Sequence, residues 1–360
     1  MNILSSPTIF DAAALADAVA FAEAHETPWR RDIQAQLEAG NFEPPPDNEI
    51  IGPTAPRGGP AGLILHRGQA VARWGDTRRV DMTFSVAKSY LSILAGVAVG
   101  DGLIRDLDEP IGATVHDGGF DGPHNGAITW RHMLHQTSEW EGTLFGKSDM
   151  IDRYRSLATE FRGDPAHAKG SGRPLQAPGT YWEYNDVRVN RFSLALLRRF
   201  GRGLPEVFAE RIMRPIGASE DWRWCGYSNS FVDVGGRTVQ SVSGGGHWGG
   251  GVFIGAEDQA LVGLLMARDG VWKGRRLLPE GWVAQSLTPC PIKPDYGFLW
   301  WLNTARIARP GAPADSFFAL GAGGNFTWID PQHEIVAVLR WMDTGFFDAW
   351  IGKVLGALRG

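Results

Sequence analysis

The segments with the strongest strand character lie at opposite ends of the 360-residue chain. Residues 61–74 read as two short apolar strands around Arg67-Gly68-Gln69, and Tyr296–Leu302, Ser316–Leu320, Phe326–Ile329 and Glu334–Trp341 read as four more. Between them helical periodicity begins at Phe84 and recurs through Trp130–Gln136, Arg188–Phe200, Glu206–Met213 and Glu257–Arg268. Residues 9–25 and Phe347–Leu358 add a helix at each end, and no internal repeat interrupts the order. Strands first, helices in the middle and strands last predict an α+β fold. The expected sheet domain is discontinuous, antiparallel and flanked by the N- and C-terminal helices, from residues 1–81 and 286–360. A mostly helical domain, 82–285, is inserted into it, with the functional site at their interface.

Composition narrows the function classes. At 43% hydrophobic and 21% charged residues the chain can bury a large core, which excludes global disorder. A net charge of −5 with no basic block gives no footprint for nucleic acid. Cys225 and Cys290 allow at most one disulfide. The best apolar run, Leu91–Val99, is far short of the roughly 20 residues of a membrane helix, so no membrane contact is expected. Met1–Asp17 lacks a basic n-region and carries acids in its apolar stretch, which predicts a cytoplasmic protein.

Several familiar motifs drop out. Gly244–Gly249 fits G-x-G-x-x-G, but no βαβ unit surrounds it, and Gly142–Ser148 is one residue short of a P-loop. His132 and His135 stand three apart on a helix with no carboxylate pattern to complete a metal site, so capping and packing explain them. No metal and no cofactor are expected.

Ser85-Val86-Ala87-Lys88 carries the chemistry. It opens a helix with apolar positions Tyr90, Leu91, Ile93, Leu94 and Val97, and three-residue spacing puts Ser85 and Lys88 on one face. A serine hydroxyl is a weak nucleophile until a neighbouring base takes its proton, and a suitably placed lysine can be that base. The first helical turn adds backbone N–H groups that favour a developing oxyanion. About 100 residues on, Pro178–Asp186 places Tyr184-Asn185-Asp186 in a turn directly before a helix. Phe317–Asn325 then runs from a strand through Gly321-Ala322-Gly323-Gly324 towards a second strand ending at Asp330-Pro331.

In this order the three motifs resemble those of the serine β-lactamase and penicillin-recognising hydrolase family. Within it the resemblance is to the class C-like branch with its related esterases and 6-aminohexanoate-dimer hydrolases, over roughly Ala61–Arg340. The resemblance implies a β-lactamase-like fold with Ser85 as acylated nucleophile, Lys88 as its base partner and Tyr184 as the group that moves the proton to the leaving group. It implies an oxyanion hole from the backbone N–H groups of Ser85 and Ala322. Tyr181 competes with Tyr184, but Tyr-Trp-Glu lacks the polar third residue of the Tyr-x-Asn pattern.

Two departures matter. Asp186 stands where the pattern has asparagine; it either pairs with Lys88 or meets a donor on the substrate. The third motif reads Ala319-Leu320-Gly321 and lacks the lysine of K-T-G, so no cation there meets a substrate carboxylate. Asp186, Ala319, Leu320, Gly321, His247 and Trp248 are the expected substrate-contacting residues, and Trp140, Trp182 and Trp301 are further candidates for an apolar pocket wall. The expected function is a serine hydrolase acting on a small-molecule ester or amide. The alternatives are a catalytically inactive binding protein of the same fold, or a β-lactamase or D-aminopeptidase-type peptidase. Oligomeric state is not readable from the sequence.

Overall fold

Strand Ala61–His66 pairs antiparallel with Ile335–Arg340, Ala61 opposite Arg340 and His66 opposite Ile335, so the two ends of the chain meet inside one sheet. The computed structural model describes residues 10–40, 42–155, 157 and 167–359. The sheet has six antiparallel strands in the order Trp301–Leu302, Phe317–Gly321, Asn325–Asp330, Ile335–Arg340, Ala61–His66, Gln69–Trp74. Successive side chains of a strand point to opposite faces, and both faces here are covered. On Asn325–Asp330, Phe326 and Trp328 meet Phe347 and Trp350 of the C-terminal helix Phe347–Gly356. Thr327 points the other way, its hydroxyl 2.6 Å from Gln259 Nε2 of helix Ala256–Ala267. The N-terminal helix Ala12–Ala24 joins the first layer, where Trp350 Nε1 donates to the Ala18 carbonyl. Burial on both sides is why these strands read as continuous apolar runs. The α+β architecture with flanking terminal helices is the one expected.

The interior of the chain departs from the expected division in two ways. Residues 82–285 hold a second antiparallel sheet, in which Gly251–Ile254 lies between Asp81–Met82 and Arg223–Val234, with Arg237–Val242 at the far edge. Helix Ala256–Ala267 also falls in that range, yet it packs on the six-stranded sheet through Gln259. Cys225 and Cys290 are both free thiols. No helix among the described residues is long and apolar enough to cross a membrane.

Helix Val86–Gly100 is buried from Val86 to Ala98 and packs against strand Phe317–Gly321 and helix Asp186–Phe200. All three motifs are thereby brought to one place. The helix carries the first, the loop that ends at the start of Asp186–Phe200 carries the second, and the end of the strand carries the third.

Candidate active site

Ser85 is the N-cap of helix Val86–Gly100, partly exposed, and its side chain makes no capping bond. An N-cap serine ordinarily turns its oxygen onto an N–H of the first turn. Here Oγ instead accepts from Lys88 Nζ at 2.8 Å. Phe84, immediately before, has φ of 50°, a left-handed conformation uncommon for a bulky residue. Its buried ring, edge-on to Trp29 and Trp341, holds that strained turn in place.

Lys88 is almost fully buried, and the three donors of its ammonium group match three acceptors. These are Ser85 Oγ at 2.8 Å, the Gly244 carbonyl at 3.2 Å and Asp186 Oδ1 at 2.6 Å. The Gly244 carbonyl comes this close because Gly245 lies against Phe84: a Cβ on Gly245 would sit 1.9 Å from the Phe84 oxygen. Asn190 Oδ1 holds the same residue from the other side by accepting from Gly244 N at 2.8 Å. Lys88 Nζ also lies 5.0 Å from the centroid of the Tyr184 ring, which stacks on Trp301 and is flanked by Trp182 and Tyr296.

Asp186 is buried, with Oδ1 on Lys88 and Oδ2 2.7 Å from Arg155 Nη1. Burial disfavours its charge, but Arg155, Lys88 and His247 outweigh burial and hold the carboxyl well below its usual range. Strand Phe317–Gly321 ends against the residues just before Ser85, and a Cβ on Gly321 would sit 1.9 Å from the Thr83 oxygen. Ala322 follows in the turn, its carbonyl accepting from Asn325 Nδ2 at 2.8 Å.

The sequence model of the Beta-lactamase family matches residues 55–346. The chain belongs to the Beta-lactamase family. Among proteins similar to this Beta-lactamase family chain, the 6-aminohexanoate-dimer hydrolase of Paenarthrobacter ureafaciens is 24% identical over 280 residues. That match covers 73% of this chain and 66% of the relative, slightly under two thirds of its length. A family VIII carboxylesterase superposes with a TM-score of 0.61 at 17% identity, covering 99% of this chain and 98% of that one. A β-lactamase from Mycobacterium bovis gives 0.54 at 19%, covering 82% and 93%. A penicillin-binding protein homologue from Caulobacter crescentus gives 0.59 at 15%, covering 92% and 99%. At such identities these structures speak for the fold.

Within this family member, Ser85, Lys88, Tyr184 and Asp186 converge, and Gly321 and Ala322 border them. Two expected substrate contacts are corrected. Asp186 is buried with each oxygen against a cation, Lys88 or Arg155, which makes it a partner of those cations. Trp248 is fully buried, its indole N–H donating to the Asp47 carbonyl at 2.7 Å, which makes it a packing residue. Ala319 is buried, whereas Leu320 is partly exposed beside Gly321. Trp140 bonds to the Gly119 carbonyl, while Trp182 and Trp301 pack around Tyr184. Tyr181 lies under the Arg173 guanidinium, 4.0 Å away. His132 closes a capping box with Thr129.

His247 reaches the site from behind, with Nδ1 3.7 Å from Asp186 Oδ2 and Nε2 2.6 Å from Glu43 Oε1. Glu43, Asp152 and His247 form the one group compact enough for a metal ion among the described residues. Lys169 already supplies a cation to it, touching Glu43 and lying 3.2 Å from Asp152 Oδ1. Sequence reasoning missed Arg155, Asp152, Glu43, Asn190 and Arg340. None stands in a motif, and each has at least one partner more than thirty positions away along the chain. Asn325 stood at the end of the third quoted stretch and was legible only as a strand start.

Proposed function

We propose that the chain is a serine hydrolase that cleaves a small ester or amide through an acyl-enzyme on Ser85. The observation that carries this is the 2.8 Å contact of Lys88 Nζ with Ser85 Oγ, on a side chain that declines its capping role. In this reading the Lys88–Tyr184 pair first releases one proton to solvent, and Ser85 Oγ then attacks the carbonyl carbon as its own proton passes to that pair. The N–H groups of Ser85 and Ala322 receive the oxyanion, a single such donor being worth roughly 3–4 kcal/mol. Tyr184 returns the proton to the departing alkoxide or amine as the C–O or C–N bond breaks. Water then attacks the acyl-enzyme, its proton follows the same path, and the acid leaves as Ser85 is restored.

Substrate class rests on the third motif. With Ala319-Leu320-Gly321 there is no lysine to meet a carboxylate, which favours a neutral ester or amide over a β-lactam or a D-alanyl terminus. A relative named as a carboxylesterase fits that choice. Asp186 in place of asparagine favours one second reading, a binding protein without turnover. The cytoplasmic location expected from the sequence belongs to the same proposal, and fractionation of cells expressing a tagged chain tests it.

Intact mass after exposure to a fluorophosphonate separates the readings. One adduct on wild type and none on Ser85→Ala is expected, followed by turnover of p-nitrophenyl esters or anilides in preference to a cephalosporin. A folded wild type that takes no adduct overturns the hydrolase reading in favour of binding.

A further inference from the structure

Arg155 lies outside every motif, yet its buried guanidinium shares the Asp186 carboxylate with Lys88, at 2.7 Å from Oδ2 against 2.6 Å from Oδ1. It also lies 3.5 Å from Asp152 Oδ1, while Asp152 Oδ2 accepts from Asp186 N at 2.8 Å. Behind these, Lys169 serves Asp152 and Glu43, with His247 beside them. Three carboxylates (Asp186, Asp152 and Glu43) therefore face three cations (Lys88, Arg155 and Lys169). Arg155 Cζ and Lys88 Nζ stand 5.2 and 5.0 Å from the Tyr184 ring centroid.

A buried carboxylate with one cationic partner binds that partner strongly, because neither charge has water to turn to. Asp186 with Lys88 alone would hold the nitrogen that must exchange a proton with Ser85. An arginine stays protonated in proteins, so Arg155 draws on the carboxylate's charge without entering proton transfer. The Tyr-x-Asn pattern puts a neutral side chain at this place, and Asp186 with Arg155 has the same net charge of zero.

We propose that Arg155 is a positioning residue: paired with Asp186, it forms a neutral unit that substitutes for the asparagine and leaves Lys88 to serve Ser85. This rests on the acyl-enzyme reading above, so wild type is first labelled with the fluorophosphonate. Absence of an adduct overturns both readings, whereas the cycle below overturns this one alone.

The cycle compares wild type, Arg155→Gln, Asp186→Asn and the double variant, reading kcat per fluorophosphonate-titratable serine, KM and melting temperature. Each single change is expected to lower kcat about 100-fold, the size of a lost proton-transfer contribution, with KM within about threefold. The charge-neutral double variant is expected to recover to within about tenfold of wild type, a coupling far outside additivity. Losses that simply multiply, or a folded Arg155→Gln with near-normal kcat, overturn the proposal. Where a single variant does not fold, Arg155→Lys and the double variant decide. Both should stay within about tenfold of wild type, and a hundredfold loss in either, folded, overturns the proposal.

Discussion

Asn325 Nδ2 donates to the Ala322 carbonyl at 2.8 Å, clamping the turn that follows strand Phe317–Gly321. Asn325 Oδ1 in turn accepts from Arg340 Nη1 at 3.1 Å. The Arg340 guanidinium also donates to the Met82 carbonyl at 3.4 Å and to the Ile254 carbonyl at 2.5 Å. One buried cation thus ties the six-stranded sheet to the four-stranded sheet. No carboxylate contacts it among the described residues, so its burial costs stability that the alignment of these backbones offsets.

Asn325→Ala should therefore loosen the Ala322 peptide. Loss of one oxyanion donor costs on the order of 10²–10³ in kcat, and a misaligned donor should cost about 10-fold or more with KM little changed. Steady-state kinetics on a p-nitrophenyl ester check this. Unchanged kcat would remove Ala322 from the oxyanion hole.

Lys88→Met and Tyr184→Phe should each lower kcat by about 10²-fold or more, the usual weight of a proton-transfer group. Tyr184→Phe keeps the ring stacked on Trp301, so its melting temperature should stay close to wild type. Rapid-quench measurement of acylation and deacylation separates the two roles. Full activity in Tyr184→Phe would shift the proton path to Lys88 alone.

Gly321→Ala tests the close approach of the third motif to the nucleophile. Its Cβ would sit 1.9 Å from the backbone oxygen of Thr83, which has no flexible side chain to yield. Overpacking of this kind costs about 1–3 kcal/mol, so the variant should melt lower and label more slowly with the fluorophosphonate. Normal melting and labelling would show that the strand end can retreat.

Two buried groups, His135 and Glu139, contribute to the acid stability. Burial, with help from Arg131 and His132, pushes the His135 imidazole down to about 4. Burial opposes the charge of Glu139, yet Arg173 and Arg188 bring its carboxyl down to about 2. Both values lie below the unfolded ones, so the unfolded chain binds more protons and stability falls as pH falls. The His135 contribution is complete above about 6.5 and lost by about 4; that of Glu139 is complete above about 4.5 and lost by about 2. Each is on the order of 3 kcal/mol. Urea unfolding at pH 7, 5 and 3 should show the decline, with His135→Leu flattening the upper window and Glu139→Gln the lower. A stability curve level from pH 7 to 3 would contradict both assignments.

The second sheet shows where one-dimensional reading stops. Arg223–Val234 alternates only in part, with a register shift between Gly226 and Phe231. The two strands are joined at Gly235 and Gly236, which both take positive φ. The segment 82–285 read as mostly helical because its helices carry strong periodicity while this hairpin's strand pattern is broken.

The sequence by itself carried the terminal strands, the main helices and the expectation that the two ends of the chain share one sheet, while Ser85, Lys88 and Tyr184 came from the resemblance of three ordered motifs to the family. The elements follow from local periodicity, which neighbouring residues impose on one another. Only the tertiary structure decided what Asp186 does, because its choice between Lys88 and a substrate depended on Arg155, 31 positions away and in no motif. The same holds for Arg340 on Asn325 and for Lys169 among Glu43 and Asp152. A buried charge takes its meaning from whichever charges the fold brings within a few ångströms, and no sequence interval encodes that distance.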